Sequence, residues 1–244
     1  MDVSLYQAAA AMNATERWQE LISDNLGAAS IPGARKREIS FSAVQAGLDQ
    51  SSGSNYMIPT VASTINFQQG ELHPTGSSMD FALEGPGLFS VQLPDGQRAY
   101  TRNGQFQVSA TGQLTTSQGY PVLGDTGPIQ LDPNNSAPIT ITASGDVSQG
   151  SESKGKLQIT EFNKPGLLTA LGRGLFRADN PDLKAAAGTT TSVRQGFVES
   201  ANSSPTAEMA SLITAMRMFE SNQKVLQMQS DRMSREISDL GNPG

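Results

Sequence analysis

The sequence predicts an α+β protein in which long N- and C-terminal helices form a coiled-coil-like module around a central antiparallel β-rich domain. Three observations predict it. Apolar residues recur every seven positions near the C-terminus, and every three or four positions near the N-terminus. Between about 65 and 200 the period falls to two, with turn dipeptides between the runs. The boundaries follow from these changes of period. Residues 1–42 and 200–244 belong to the helical module, 43–64 to an arm or linker, and 65–199 to the β-rich domain.

The N-terminal helix is expected over 3 to about 29. Leu5, Ala8, Ala9, Met12, Ile22 and Leu26 mark one face, with Trp18 and Leu21 beside it. Glu16, Arg17, Glu20 and Asp24 lie mostly off that face, and Pro32-Gly33 ends the segment. Packing on the chain's own domain explains this helix as well as an intermolecular role does. Arg35-Lys36-Arg37 reads as a solvated cluster, because three charges are too few for a nucleic-acid site. Residues 43–64 are rich in Gln, Ser, Gly and Asn, hence the arm.

In the centre, Phe81–Leu83, Leu88–Leu93, Ala99–Thr101, Phe106–Val108, Ile139–Ile141 and Leu157–Ile159 read as short strands. Asp95-Gly96, Asn103-Gly104, Thr111-Gly112 and Ser144-Gly145-Asp146 read as the turns between them, which argues for a sandwich or irregular barrel. One short helix is expected within Pro165 to Leu175.

The C-terminal helix is expected over 204–240. Leu212, Phe219, Leu226, Met233 and Leu240 take the d positions of a heptad. Met209, Met216 and Ile237 take the a positions, interrupted by Gln223 and Ser230. Ser204 suits the N-cap, Pro205 the first turn and Glu208 the positive end of the dipole, while Gly241 and Pro243 stop the helix. At ~1.5 Å per residue it spans ~54 Å, about the width of a whole domain this size, so it is expected to project and to need a partner.

Composition narrows the chemistry. Charged residues are 16 %, aromatic residues 6 % and apolar residues 36 %, a balance that suits turn-rich β structure and not disorder. A net charge of −6 without a basic block disfavours nucleic acid and anionic membranes, and with no cysteine there is neither a disulfide nor a thiolate. No secretory signal or membrane span is evident, so work outside the cytoplasm would need another route. The one histidine, His73, precedes a proline and has neither a second His nor a Gly-x-Ser-x-Gly elbow to serve as a zinc or triad partner. Gly85-Pro86-Gly87 and Gly172-Arg173-Gly174 lack a phosphate-loop fingerprint and read as turns. No catalytic residue, cofactor, metal or small-molecule substrate is therefore expected. The alternative is a secreted β-rich glycan-binding or hydrolytic protein, disfavoured because Trp18, the only tryptophan, falls in a helix.

Three blocks of the chain resemble the bacterial flagellar basal-body rod and hook protein family. The first is Asn25-Leu26-Gly27-Ala28-Ala29-Ser30-Ile31-Pro32-Gly33-Ala34-Arg35. The second joins Gly70-Glu71-Leu72 and Asp80-Phe81-Ala82-Leu83-Glu84-Gly85-Pro86-Gly87-Leu88-Phe89 to Asp95-Gly96, Tyr100-Thr101-Arg102-Asn103-Gly104-Gln105-Phe106 and Gly112-Gln113-Leu114. The third runs from Gln195-Gly196-Phe197-Val198-Glu199-Ser200-Ala201-Asn202 to Arg217-Met218-Phe219-Glu220-Ser221-Asn222. Ala34 and Ser203 depart from the family's usual aromatic and valine. The resemblance implies a structural subunit of the flagellar rod, exported without a cleaved signal by the flagellar type III apparatus. Its terminal helices would pack in an inner coiled-coil layer, and its partners would be other copies of itself and neighbouring rod and hook proteins. One β domain fits rod subunits better than the hook, and the short arm leans toward the proximal rod. The candidate assembly interface is Leu5, Met12, Ile22, Asn25, Leu26, Met209, Leu212, Met216, Phe219, Leu226, Met233 and Ile237.

Overall fold

A computed structural model describes the backbone of residues 3–46 and 56–241, and the side-chain surroundings of 7–42, 61–235 and Ser238. The chain divides into two compact units. One comprises the described parts of Met1–Leu26, Arg37–Thr64 and Pro205–Gly244, the other Gly27–Lys36 and Ile65–Ser204.

In the first unit, helix α1 runs Val3–Ala28 and helix α2 runs Pro205–Gly241. Strands β1 (Arg37–Ala46) and β2 (Tyr56–Ile65) pair as a two-stranded sheet that takes in much of the stretch read as an arm. Asn25 fastens the end of α1 to the start of β1. Its amide accepts from the Arg37 N–H (2.8 Å) and donates to the Arg37 carbonyl (2.9 Å), as a neighbouring strand would. Trp18 meets Phe41 edge-on at 5.8 Å.

The coiled-coil-like module is not what forms, and the fold is a β-rich body with one helix at each end. A heptad seam needs its a and d rows buried together. Here Leu212, Phe219, Leu226 and Met233 are only half-buried, while Met209 and Met216 of the a row are 53 % and 54 % exposed. The row turned inward on the other side is Glu208, Ala215, Asn222 and Gln229, also spaced by seven. The d row is common to two overlapping seams, and hydrophobicity selects the apolar one. The fold takes the other, and two of its polar members, Glu208 and Asn222, find partners. Asn25 reaches the Glu208 carboxylate at 3.4 Å, and Asn222 Nδ2 donates to Thr15 Oγ1 at 3.2 Å. Ala215 of the same row is wholly buried.

A central β domain is present in the second unit. Its largest sheet has six strands, all neighbours antiparallel, in the order 169–172, 175–177, 98–101, 88–92, 159–162, 185–187. The hairpin of Leu88–Gln92 and Arg98–Thr101 closes at Asp95-Gly96, where Gly96 has φ 81°, a backbone that only glycine adopts without strain. The main apolar core includes Phe81, Leu83, Phe89, Val91, Phe106 and Leu157, and a smaller cluster gathers Leu88, Leu168 and Phe176. Phe106 sits edge-on to Phe89 at 5.1 Å. The short helix expected within Pro165 to Leu175 is the 3-10 helix Pro165–Leu167, followed by the strand Thr169–Gly172. One local expectation needs correcting: Asn103-Gly104 is no hairpin turn. Gly104 lies directly beneath the Phe81 carbonyl, which a Cβ would strike.

Candidate assembly surface and the buried junction

The sequence-predicted interface residues fall into three groups. Ile22 and Asn25 are buried, at 2 % and 4 % exposure. Met12, Leu26, Leu212, Phe219, Leu226 and Met233 are half-buried, and Met209 and Met216 stand in solvent. The side chains of Leu5 and Ile237 lie outside the described residues. Sequence reasoning missed Ile213, 54 % exposed between Met209 and Met216, and Val225, 38 % exposed. Ile213 sits one turn from Met209 and just under one from Met216, a spacing that a search restricted to a and d positions passes over.

Within the β-bearing unit, the three blocks of the resemblance converge on one carboxylate. Glu199, 1 % exposed, ends the strand Phe197–Glu199 and lies 2.6 Å from Arg35 and 2.5 Å from Arg102. Its Oε1 also accepts the Gly70 N–H at 2.8 Å. Arg102 donates onward to the carbonyls of Gly87 and, at 2.8 Å, Leu83. The Glu199 carbonyl accepts the Gly33 N–H at 2.7 Å, and Gly33, at φ 70°, packs against the Arg102 backbone where any Cβ would collide. Asn202 completes the junction. Its Oδ1 accepts the Lys36 N–H at 2.6 Å, and its Nδ2 donates to the carbonyls of Asn66 (2.8 Å) and Gln68 (3.0 Å). Arg35 is thus not part of a solvated cluster. Burial lowers its pKa, Glu199 opposes that shift, and the nearby Arg102 adds to it. A guanidinium so placed stays charged, and its fixed fork suits a carboxylate.

This junction is built for holding and not for turnover. Both Glu199 oxygens are engaged, and no reacting group has access to them. Among the described residues, no group of three or more His, Asp or Glu is placed to hold a metal. His73 is exposed in the strand Leu72–Pro74, 3.6 Å from Glu71. A cleft of about 260 Å³ in the first unit is lined by Arg17, Glu20, Asp24 and Arg37 with Leu21, Val61 and Ser63, two cations against two anions. Among the described residues, no helix is long and apolar enough to cross a membrane.

Comparison with known proteins agrees with the three blocks. The flagellar hook protein FlgE/F/G D1 domain matches residues 82–149, and the C-terminal domain of the flagellar basal body rod FlgEFG proteins matches 194–240. The flagellar basal-body rod protein FlgG of Buchnera aphidicola subsp. Schizaphis graminum is 32 % identical over 97 % of this chain and 99 % of its own. The flagellar basal-body rod protein FlgF of Escherichia coli K12 is 32 % identical over 96 % and 97 %. That of Mesorhizobium japonicum is 31 % identical over 99 % of each chain. On matches that run nearly end to end through the residues of the buried junction, the chain belongs to the flagellar basal-body rod protein family.

Proposed function

We propose that this protein is a structural subunit of the bacterial flagellar basal-body rod. It assembles with copies of itself and with neighbouring rod and hook components into the shaft that carries torque from motor to hook. It performs no catalysis and reaches the basal body through the flagellar export apparatus. The observation that carries this reading is the apolar surface of α2, where Met209, Ile213 and Met216 stand more than half exposed on one face. Apolar side chains grouped on one surface mark an interaction site. A shaft needs many such contacts, repeated from subunit to subunit without closing on themselves. The buried junction supplies the other requirement, a subunit that does not yield under load. Nothing favours the glycan reading, since Trp18 is half-buried and engaged with Phe41.

The test is incorporation. Cells lacking the chromosomal copy receive the wild-type chain or Met209→Asp/Met216→Asp, and basal bodies are isolated. The wild-type chain is expected in the rod fraction with motility restored. The variant is expected to fold, judged by an unchanged thermal transition, but to be missing from basal bodies. Normal motility with the double variant would overturn the assignment of this surface.

A further inference from the structure

Three charged side chains meet at the buried junction of the β-bearing unit, and their charges do not cancel. Arg35 and Arg102 bring two positive charges to the single negative charge of Glu199, and all three side chains are 2 % exposed or less. An unbalanced charge held out of water is strongly unfavourable. Arg35 does not escape by losing its proton, because a guanidinium stays charged even where burial lowers its pKa.

The unpaired donors sit on the same side chain. Arg102 donates to Glu199 and to the carbonyls of Gly87 and Leu83, so each of its nitrogens has an acceptor. Arg35 gives its Nη2 to Glu199, while its Nε and Nη1, both shielded from solvent, meet no acceptor among the described residues. The backbone on either side of Arg35 is tied down, so the side chain is not free to swing into water. The Gly33 N–H donates to the Glu199 carbonyl at 2.7 Å, and the Lys36 N–H to Asn202 Oδ1 at 2.6 Å.

We propose that Arg35 binds a buried monovalent anion, chloride, through the N–H groups that Glu199 leaves unpaired, the ion being captured as Gly27–Lys36 closes on the strand Phe197–Glu199. A water molecule would accept the same hydrogen bonds and leave the charge unbalanced, whereas a halide answers both needs. A carboxylate or phosphate carries further oxygens that require donors of their own. Nitrogens shielded from solvent are also out of reach of an anion borne on a larger molecule. The ion is thus part of the fold, and this inference goes beyond the rod-subunit reading without depending on it.

The full-length chain is unfolded in urea, freed of halide by dialysis, and refolded in sodium gluconate, chloride or bromide at one ionic strength. Urea titration then gives the unfolding constant in each salt. Chloride at a hundredfold excess over its Kd is expected to lower that constant about 100-fold relative to gluconate. Arg35→Met, which removes the surplus charge, is expected to show one constant in all three salts. Glu199→Gln, which leaves two guanidiniums and no carboxylate, is expected to respond to chloride more strongly than the wild type. Crystals grown in bromide are expected to show an anomalous peak within hydrogen-bonding reach of Arg35 Nε or Nη1. An equal response of the wild type and Arg35→Met would mean general screening of charge and overturn the site. So would a Glu199→Gln response no greater than that of the wild type, or a bromide crystal with water alone beside Arg35.

Discussion

Replacing Glu199 by Ala removes the carboxylate that lies between two buried guanidiniums. Arg35 and Arg102 are each 2 % exposed at the side chain and would face each other without an anion. The Gly70 N–H loses its acceptor too. Breaking a buried ion pair by deleting one partner costs about 3–5 kcal/mol, because the surviving charge stays out of water. At ~2–4 °C per kcal/mol for a domain of this size, the thermal transition of the β-bearing unit should fall by about 6–20 °C. The two arginines are not equivalent. Arg102 donates to Glu199 and to two carbonyls, whereas Arg35 Nε and Nη1 have no hydrogen-bond partner among the described residues. Arg35→Met removes surplus positive charge and should cost roughly 1–2 kcal/mol less than Arg102→Met, which orphans the Leu83 and Gly87 carbonyls. Differential scanning calorimetry and urea titration followed by far-UV circular dichroism measure all three variants. If Glu199→Ala melts within about 1 kcal/mol of the wild type, or Arg35→Met proves as costly as Arg102→Met, the clamp argument is wrong.

Gly104→Ala should prevent accumulation of folded protein, since its Cβ would overlap the Phe81 carbonyl, while Gly76→Ala, which meets nothing, should lose only the ~1 kcal/mol of a positive-φ site; soluble yield and melting temperature compare them. Asn25→Ala deletes both bonds to the Arg37 backbone and should cost about 1–3 kcal/mol, read as faster amide exchange at Arg37. Hydrogen bonds from Ser144 and Thr142 hold the Asp146 carboxyl below the usual range. Burial pushes Glu161 up, but the bonds from Thr191 and Thr190 more than offset it, and its pKa too is lowered. A lowered carboxylate stabilises the fold fully above its unfolded pKa of about 4 and loses that contribution as pH falls through the folded value. NMR titration of Ser144→Ala/Thr142→Val should therefore move the Asp146 midpoint up, and the acid-unfolding midpoint with it. Peroxide, which adds one oxygen to a thioether and leaves as water, should oxidise Met209, Met216, Met218 and Met228 before the half-buried Met12, Met79 and Met233, with assembly lost in step; peptide mass mapping against sedimentation checks this.

What was legible in the sequence is what local chemistry decides. The helix expected over 3 to about 29 is Val3–Ala28, and the glycines at 96, 112 and 145 make turns with positive φ. Strands that enter the core, such as Phe81–Glu84 with Phe81, Ala82 and Leu83 all buried, show as short apolar runs between turn dipeptides. Strands β1 and β2 were hidden by the Gln-, Ser-, Gly- and Asn-rich stretch they enter, although Ile39-Ser40-Phe41-Ser42 does alternate, and a two-stranded ribbon buries little: Ser40, Phe41, Ser42, Ala62, Ser63 and Thr64 are all exposed. Arg35 was illegible for a different reason. Its partner, Glu199, is 164 residues away in sequence, and a basic triplet carries no sign that one member will be buried. The heptad misled because two seams share the row Leu212, Phe219, Leu226. Only the tertiary partners of Glu208 and Asn222 decide between them.

The residues that make the chain recognisable and those that give it a surface to assemble with are largely different sets. Asn25, Gly33, Arg35, Gly70, Leu83, Gly87, Arg102, Glu199 and Asn202 all carry contacts inside the chain, and Arg35, Gly70 and Arg102 meet at the Glu199 carboxylate. Such a junction admits few substitutes, because each glycine sits where a Cβ collides and each charge has a fixed counterpart. The exposed apolar surface of α2 needs only apolar bulk, which Met, Ile and Val provide interchangeably. Motif reading therefore finds the family through its interior, and the interface emerges only when the fold shows which side of α2 is left in water. Mutations at the junction should accordingly fail as unstable protein. Mutations on the exposed surface of α2 should fail as stable protein that does not assemble, a separation that melting and basal-body incorporation of the same variants resolve.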